Sequence, residues 1–248
     1  MKTKILEKLA QIERERNIEI LFAVESGSRA WGFASPDSDY DIRFVYRHSK
    51  EYYLSLWEGK DTIQFMTEDD LDGSGWELRK ALRLLAKSNA SFLGWLFSDE
   101  VYFSKENHLE RFRALAERNF NPVAGFYHYH SMNKGFDELL GSEEMTLKGF
   151  FYAIRTAMCA KWIADRATIP PVRFKEMYAL IDEEHAALLD ELIVLKGQTG
   201  EKGKEEVHPK LLSLAREFVR ENQSKKDLLI HRKPRLEEFD EFFLTLVS

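Results

Sequence analysis

The most constraining feature of the sequence is a Gly-Ser pair that follows a hydrophobic run and precedes two closely spaced aspartates. Residues 18–24 form a compact, β-rich run that leads directly to Gly27-Ser28. After ten intervening residues comes Asp39, and two positions further on comes Asp41. On a strand, side chains two residues apart project from the same face, so these two carboxylates can reach one point. The pattern predicts a strand, a glycine-led helix start and a second strand that carries paired acids.

These residue types in this order are typical of phosphate chemistry. A Gly-Ser pair at a helix start offers backbone N–H groups and a hydroxyl to a phosphate, and glycine permits close approach. Mg²⁺ prefers carboxylate oxygens, and two such ions about 3.5–4 Å apart can assist displacement at phosphorus. We therefore expect Asp39 and Asp41 to bridge two Mg²⁺ ions, with Gly27 and Ser28 holding the β and γ phosphates. An isolated pair of this kind also occurs on exposed charged strands.

The same residues resemble a known superfamily. Gly27-Ser28, ten intervening residues and the segment 39–42 are similar to the signature of DNA polymerase β-like nucleotidyltransferases. Segments 71–82 and 150–155 further resemble bacterial nucleotidyltransferases associated with RNA repair pathways. The resemblance covers most of the chain. It implies a mixed sheet with flanking helices, bound Mg²⁺ and a nucleoside triphosphate (NTP) substrate.

A third carboxylate is normally required to complete such a metal site. Asp72 is the leading candidate because it lies just before a predicted helix start, in a loop that can return to the sheet edge. Glu77, Asp70 and Asp61 are the alternatives. Gln64, on the third predicted strand, occupies a position where a carboxylate is expected in relatives. A neutral amide is a poor Mg²⁺ ligand, and this residue favours the alternative of a protein with impaired catalysis.

Four further residues are candidates for contacts with the nucleotide. Lys148, Tyr152 and Arg155 are spaced i, i+4 and i+7, which places them on one face of a predicted helix. We expect this face to bind the triphosphate, with Tyr152 stacking or hydrogen-bonding; a solvated cationic stripe is the alternative. Arg29 follows Ser28 directly and could reach a phosphate or point to solvent.

The order of predicted elements indicates an α+β protein. Predicted strands lie near 18–24, 40–46, 62–66 and 101–103, and an acidic loop at 68–75 leads to a helix from Trp76. After residue 104 the pattern is helical throughout, over roughly 106–118, 122–140, 144–166, 173–198, 206–223 and 236–247. The chain is therefore predicted to contain a polymerase β-like nucleotidyltransferase domain over 1–103. A helical bundle over 104–248 would follow and cover substrate and nucleotide.

Composition limits the partners and the compartment. The 248 residues are 44% hydrophobic and 31% charged, as in globular proteins. The longest apolar stretches, such as 186–189, are too short to cross a membrane, and residues 1–9 lack the apolar core of a secretory signal. Cys159 has no intramolecular disulfide partner, so we expect a cytoplasmic protein. The net charge of −6 disfavours a broad nucleic-acid-coating surface, although a local patch could still bind RNA. The sequence indicates no stable protein partner.

The leading hypothesis is a Mg²⁺-dependent nucleotidyltransferase that moves a nucleoside monophosphate from an NTP to a hydroxyl acceptor and releases pyrophosphate. An RNA end is the preferred acceptor, because of the resemblance rather than the charge. A protein side chain and a small molecule stay open. The first alternative is a non-catalytic nucleotide-binding or regulatory module on the same fold. The second is an RNA-binding structural protein whose affinity would depend on salt and not on the aspartates.

Overall fold

The computed structural model describes residues 1–133, 135–136, 145–199, 206–225 and 228–248. The chain divides into two compact units. The first comprises Met1–Ala30, Asp39–Asn119 and Lys233–Ser248, and the second comprises Trp31–Ser38 and Phe120–Arg232. Compared with the predicted domains 1–103 and 104–248, residues 31–38 belong to the second unit, and residues 104–119 and 233–248 belong to the first. The division into domains 1–103 and 104–248 stays a prediction.

The first unit contains a mixed sheet. In the described residues its five strands are β1 (Glu19–Glu25), β2 (Tyr40–Arg47), β3 (Thr62–Met66), β4 (Leu71–Glu77) and β5 (Val101–Ser104). Their order across the sheet is β3-β4-β2-β1-β5. The β2–β4 pair is parallel, and the other neighbouring pairs are antiparallel. The predicted α+β class with a mixed sheet is confirmed.

Some of the helices pack with the sheet within the first unit, and others make up the second unit. They are α1 (Lys2–Arg16), α2 (Gly27–Trp31), α3 (Lys50–Tyr53), α4 (Leu78–Ala86), α5 (Ala90–Leu96), α6 (His108–Asn119), α7 (Pro122–Met132), α8 (Leu147–Arg166), α9 (Glu183–Thr199), α10 (Pro209–Lys225) and α11 (Leu236–Val247), with a 3-10 helix at Phe174–Leu180. Along the parts of the chain that the structure describes, no helix is both long enough and apolar enough to cross a membrane.

The core of the first unit lies on both faces of the sheet. Helix α1 carries apolar residues at helical spacing, and its Ile5 and Leu9 pack in one cluster with Ile42 and Phe44 of β2. The opposite face is aromatic, and there Trp76 and Trp95 stack with ring centroids 3.8 Å apart. With both faces covered, the central strands are rigid supports for residues at their ends.

Strand β4 replaces the loop that was predicted over 68–75 from residue 71 onwards, so that prediction is wrong for 71–75, whereas residues 68–70 lie in a turn. Gly73 and Gly75 had indicated a loop, but here they make room for aromatic rings. A Cβ at Gly73 would lie 2.0 Å from the Phe65 ring, and one at Gly75 would lie 2.1 Å from the Phe44 ring. The sheet therefore requires glycine at both positions.

The helix predicted from Trp76 begins two residues later. Trp76 and Glu77 belong to β4, and α4 starts at Leu78. The Glu77 side chain caps this helix by accepting hydrogen bonds from the backbone N–H groups of Arg79 and Lys80. Glu77 therefore favours the start of α4 from the cap position.

In the second unit, α8 contributes more buried residues to the core than any other described helix. Its buried residues include Phe150, Phe151, Ile154 and Met158. Phe33, from the segment Trp31–Ser38, stacks on Phe151 with ring centroids 4.8 Å apart. This segment, which joins Ser28 to Asp39 in the chain, is therefore anchored in the helical unit.

The single helix predicted over 173–198 is wrong. The 3-10 helix ends at Leu180, Ile181 is extended with φ −132° and ψ 164°, and α9 begins at Glu183. Asp182 explains the new start, since its Oδ1 accepts a hydrogen bond of 2.9 Å from the His185 backbone N–H. Parts of the helices predicted over 122–140 and 144–166 lie outside the described residues.

Candidate active site

Asp41 and Asp72 lie directly opposite each other on neighbouring strands. In the parallel pairing of β2 with β4, Asp41 is the partner of Asp72. Neighbouring strands are about 4.8 Å apart, and paired residues project from the same face. The structure therefore brings these two predicted carboxylates together through a backbone register, which holds them more firmly than loops would.

One cationic side chain bridges the two carboxylates. Arg43 Nη2 donates to Asp41 Oδ1 at 2.7 Å and to Asp72 Oδ2 at 2.8 Å. Its Nη1 donates to the backbone oxygens of Asp72 at 2.9 Å and of Ile42 at 3.1 Å. Two carboxylates and two carbonyls thus converge on a single guanidinium. Sequence reasoning missed Arg43, although its position two residues after Asp41 places it on the same strand face.

Gly27 packs against the carboxylate of Asp41. Its φ of +61° is left-handed, and a Cβ there would lie 1.9 Å from Asp41 Oδ2. The turn is also tied to β2, because the Ser26 N–H donates to the Asp41 backbone oxygen at 2.9 Å. Ser28 is buried beside it in α2. The predicted convergence of Gly27-Ser28 with Asp41 is present in the geometry.

Glu25 lies at the end of β1 and holds the backbone of Asp41. Its Oε1 accepts the Asp41 N–H at 2.7 Å, and its Oε2 accepts the Tyr102 hydroxyl. Burial raises the pKa of Glu25 to about 7, against the lowering effect of these two hydrogen bonds. Sequence reasoning missed this residue. An acid that ends a buried strand just before the glycine turn was the available signal.

Asp39 and Asp41 differ in environment. Burial raises the pKa of Asp41, the charge of Arg43 lowers it, and the charges of Asp72 and Asp39 raise it. Asp39 is exposed and lies directly before β2. Its backbone oxygen accepts a hydrogen bond of 3.1 Å from Arg29 Nε. Asp39 therefore acts on the pair through its charge, outside the contact that Arg43 makes.

Arg29 lies against the segment that carries the aspartates. Besides its bond to the Asp39 backbone, its guanidinium carbon is 3.9 Å from the centroid of the Tyr40 ring. This cation–π contact fixes the side chain near the pair. The Arg29 side chain therefore lies along the start of β2, and its contact with a phosphate stays a prediction.

The other candidates for the third carboxylate have different surroundings. Glu77 accepts a 2.8 Å hydrogen bond from the Tyr53 hydroxyl and caps α4, at the opposite end of β4 from Asp72. Asp61 accepts a 2.9 Å bond from Lys80 Nζ. Asp70 occupies a left-handed turn position with φ 58°. Asp72 is therefore the carboxylate that the sheet places beside Asp41.

Gln64 would weaken the predicted metal site only if its strand supplied a ligand beside the aspartates. Gln64 pairs with Ser74, and β3 is separated from β2 by β4. The strand next to β2 is β4, which carries Asp72. An amide at position 64 consequently leaves the carboxylate pair intact.

In the second unit, Trp31 brings two of the predicted nucleotide-contacting residues together. The Tyr152 ring meets Trp31 edge-on with centroids 4.9 Å apart, and the Arg155 guanidinium carbon lies 4.2 Å from the Trp31 ring. Arg155 is only 5% exposed, whereas Lys148 is exposed in the first turn of α8. The three residues therefore do not form a uniformly solvated cationic stripe.

The residues of the first unit fit a divalent cation in the chemistry of their donors. Across the described ranges, no group of three or more acidic, histidine or cysteine side chains is gathered closely enough to hold a metal ion. Asp41 and Asp72 nonetheless share one positive group, the Arg43 guanidinium. Two carboxylates that converge on a cation suit Mg²⁺, which retains several waters and needs few protein ligands.

Comparison with known proteins defines the class to which this fold and site belong. The model of the RNA repair pathway DNA polymerase beta family matches residues 1–245. The chain belongs to that family.

One relative is similar over its whole length. It is the Bacillus subtilis (strain 168) protein that carries the name "Uncharacterized protein YcgL", 38% identical over 252 residues that span 100% of this chain and 97% of the relative. Among solved structures, a nucleotidyltransferase-like protein from Exiguobacterium sibiricum 255-15 is 14% identical. That match covers 87% of this chain and 73% of the other, with a TM-score of 0.33, which is too low to carry an argument about fold or function.

Proposed function

We propose that the protein is a Mg²⁺-dependent nucleotidyltransferase that moves a nucleoside monophosphate from an NTP to a hydroxyl acceptor. The observation that carries the proposal is the pairing of Asp41 with Asp72 in register, beside the left-handed Gly27. Family membership supports the reaction class. We propose all three features together: the transfer activity, the Mg²⁺ requirement and the hydroxyl acceptor.

In this proposal the candidate site residues of the first unit have distinct roles. Asp39, Asp41 and Asp72 hold Mg²⁺, which when bound neutralises charge that builds up on the phosphates. Gly27 lets the backbone approach the β and γ phosphates, and Ser28 donates its hydroxyl. Glu25 fixes the Asp41 backbone through the 2.7 Å hydrogen bond.

The remaining nucleotide contacts are proposed for basic and aromatic residues. Arg29 is adjacent in sequence to Ser28 and is a candidate for a phosphate contact. Lys148, Tyr152 and Arg155 are proposed to bind the triphosphate, on the strength of the resemblance and of their helical spacing. The contacts of Tyr152 and Arg155 with Trp31 support a fixed orientation for both.

In the proposed reaction the acceptor hydroxyl oxygen forms a bond to the α-phosphorus while the bond to the bridging oxygen of pyrophosphate breaks. The hydroxyl proton passes to solvent or to a neighbouring carboxylate. Most of the rate enhancement would come from positioning and electrostatics, with little covalent work by the protein. A site built on paired strands suits this task because its groups need no rearrangement relative to one another.

We propose an RNA end as the acceptor. The support is the RNA repair pathway in the description of the family. The acidic balance of the chain predicts contact through a limited surface rather than a broad basic field. We propose a cytoplasmic location, which suits an RNA substrate and a chain whose single cysteine is buried.

A label-transfer assay tests the function. The protein is incubated with Mg²⁺, an RNA set and each NTP labelled at the α or the γ phosphate. Transfer of the α label alone indicates nucleotidyl transfer, and transfer of the γ label indicates phosphoryl transfer. We expect Asp41→Asn and Asp72→Asn to lower the rate by about 100-fold or more, as for loss of a principal electrostatic group.

The matched control is Asp61→Asn, which removes an exposed carboxylate bonded to Lys80. We expect this variant to retain wild-type transfer. Tight NTP binding without transfer of either label to any acceptor would instead support the non-catalytic module. RNA binding that both aspartate variants leave unchanged, with no NTP binding, would contradict the proposal in favour of an RNA-binding protein.

A further inference from the structure

We infer that Arg43 is a built-in counter-cation: it occupies the position between Asp41 and Asp72 and must leave it when a divalent ion enters. The inference rests on the proposed function, since it concerns how that site is loaded. It assigns a role to a residue that the proposed function does not use.

The contacts of Arg43 show that it fills this position completely. Nη2 lies 2.7 Å from Asp41 Oδ1 and 2.8 Å from Asp72 Oδ2, and Nη1 is bonded to the backbone oxygens of Asp72 and Ile42. The side chain is only 16% exposed. A planar guanidinium that makes four such bonds has a well-defined place, unlike a mobile surface cation.

The guanidinium and a metal ion that binds the same two oxygens, Asp41 Oδ1 and Asp72 Oδ2, are mutually exclusive. Mg²⁺ binds carboxylate oxygens at about 2.0–2.1 Å. An ion that used Asp41 Oδ1 and Asp72 Oδ2 would therefore compete with Nη2 for the same lone pairs and repel its charge. Loading of the site then requires Arg43 to release both carboxylates.

The metal-free sheet also needs such a cation. Asp41 and Asp72 are direct partners in the β2–β4 ladder, where like charges repel. Arg43 offsets this repulsion, and the displaced guanidinium would become available to an anionic group such as a phosphate. Arg43 is thus a positioning residue for the metal-free state. The apparent association constant for the metal is the intrinsic constant multiplied by the fraction of molecules in which Arg43 leaves the site open.

Arg47 provides a matched control on the same strand. It is also a partly buried, ion-paired arginine of β2, but its Nη2 pairs with Glu19 Oε2 at 2.7 Å, away from the two aspartates. Arg43→Gln removes both charge and fork, Arg43→Lys keeps the charge without the fork, and Arg47→Gln removes a comparable ion pair elsewhere.

The experiment measures Mn²⁺ binding by calorimetry and the thermal midpoint with and without Mn²⁺. We expect Arg43→Gln to bind Mn²⁺ about tenfold more tightly than the wild type, corresponding to a site blocked in about nine molecules of ten. Arg43→Lys should fall between the two, and Arg47→Gln should match the wild type. Without metal, both glutamine variants should melt earlier, but only Arg43→Gln should recover fully with Mn²⁺.

The possible failures are distinguishable. If Asp72→Asn abolishes Mn²⁺ binding but Arg43→Gln binds Mn²⁺ no more tightly than the wild type, the inference is wrong and the proposed metal site stands. If Arg43→Lys matches the wild type while Arg43→Gln binds more tightly, only net charge matters and occupancy by the fork is refuted. If Mn²⁺ binding ignores both Asp41→Asn and Asp72→Asn, the proposed metal site fails and the inference with it.

Discussion

Replacement of Gly27 by alanine should be far more costly than a positive φ alone explains. At φ +61° an L-residue costs about 1–2 kcal/mol. The added Cβ would also lie 1.9 Å from Asp41 Oδ2, so the carboxylate must turn away and weaken its bond to Arg43. A hydrogen bond to a charged group contributes about 1.5–3 kcal/mol. The expected loss of unfolding free energy is therefore about 2.5–5 kcal/mol.

Gly32→Ala is the matched control, because Gly32 has φ +88° but nothing within 4 Å of an added Cβ. It should lose only the backbone part, about 1–2 kcal/mol. In thermal unfolding Gly27→Ala should melt about 5–20 °C below the wild type and Gly32→Ala about 2–8 °C below it. Adding Asp41→Ala should remove the excess cost of Gly27→Ala. Equal losses in the two glycine variants, or an excess that persists without the Asp41 carboxylate, would refute the reasoning.

Three further predictions concern stability. Burial raises the pKa of Glu25 from 4.5 to about 7, so its contribution to the stability of the metal-free fold is complete below pH 4.5 and is lost as pH rises through 7. The free energy of unfolding, measured with urea, should therefore fall by on the order of 3 kcal/mol between pH 5 and 8. Glu25→Gln should remove this fall. Lys196, buried, donates to Ser35 at 2.6 Å, so Lys196→Met should cost about 1.5–3 kcal/mol in the same assay. Glu77→Ala should lower the free energy of unfolding by about 1–2 kcal/mol, because the helix cap is lost, and should leave the Mn²⁺ affinity unchanged. The control Asp61→Asn should lower the free energy of unfolding by less than about 1 kcal/mol.

The strands that carry strong local patterns could be predicted from the sequence. The run 62–66 coincides with β3, and the run 40–46 matches β2 except for its last residue. The break between the 3-10 helix and α9 was missed, although Asp182 three residues before His185 is an N-cap pattern. Periodicity across 173–198 outweighed that local signal.

The site was predictable in part, for a physical reason that concerns range. Gly27, Ser28, Asp39 and Asp41 are close in sequence, and one strand-turn-strand pattern relates them. The partnership of Asp41 with Asp72 depends on a parallel pairing between residues 31 positions apart in the sequence (72 − 41). No local propensity encodes that register, so Asp72 was expected in a loop although it lies on β4, and its role as the third carboxylate stays a prediction.

The feature that concealed β4 is also the feature that makes it possible. Glycine inside a strand reads as a loop because it adds no side chain and costs conformational entropy. Here Gly73 follows Asp72 directly, and the Phe65 ring occupies the space where its Cβ would lie. A larger residue would push β4 away from β3 or from the ring. That displacement would carry Asp72 out of register with Asp41, because a strand moves as a unit. The glycines of β4 therefore contribute to the candidate site by fixing where its strand lies.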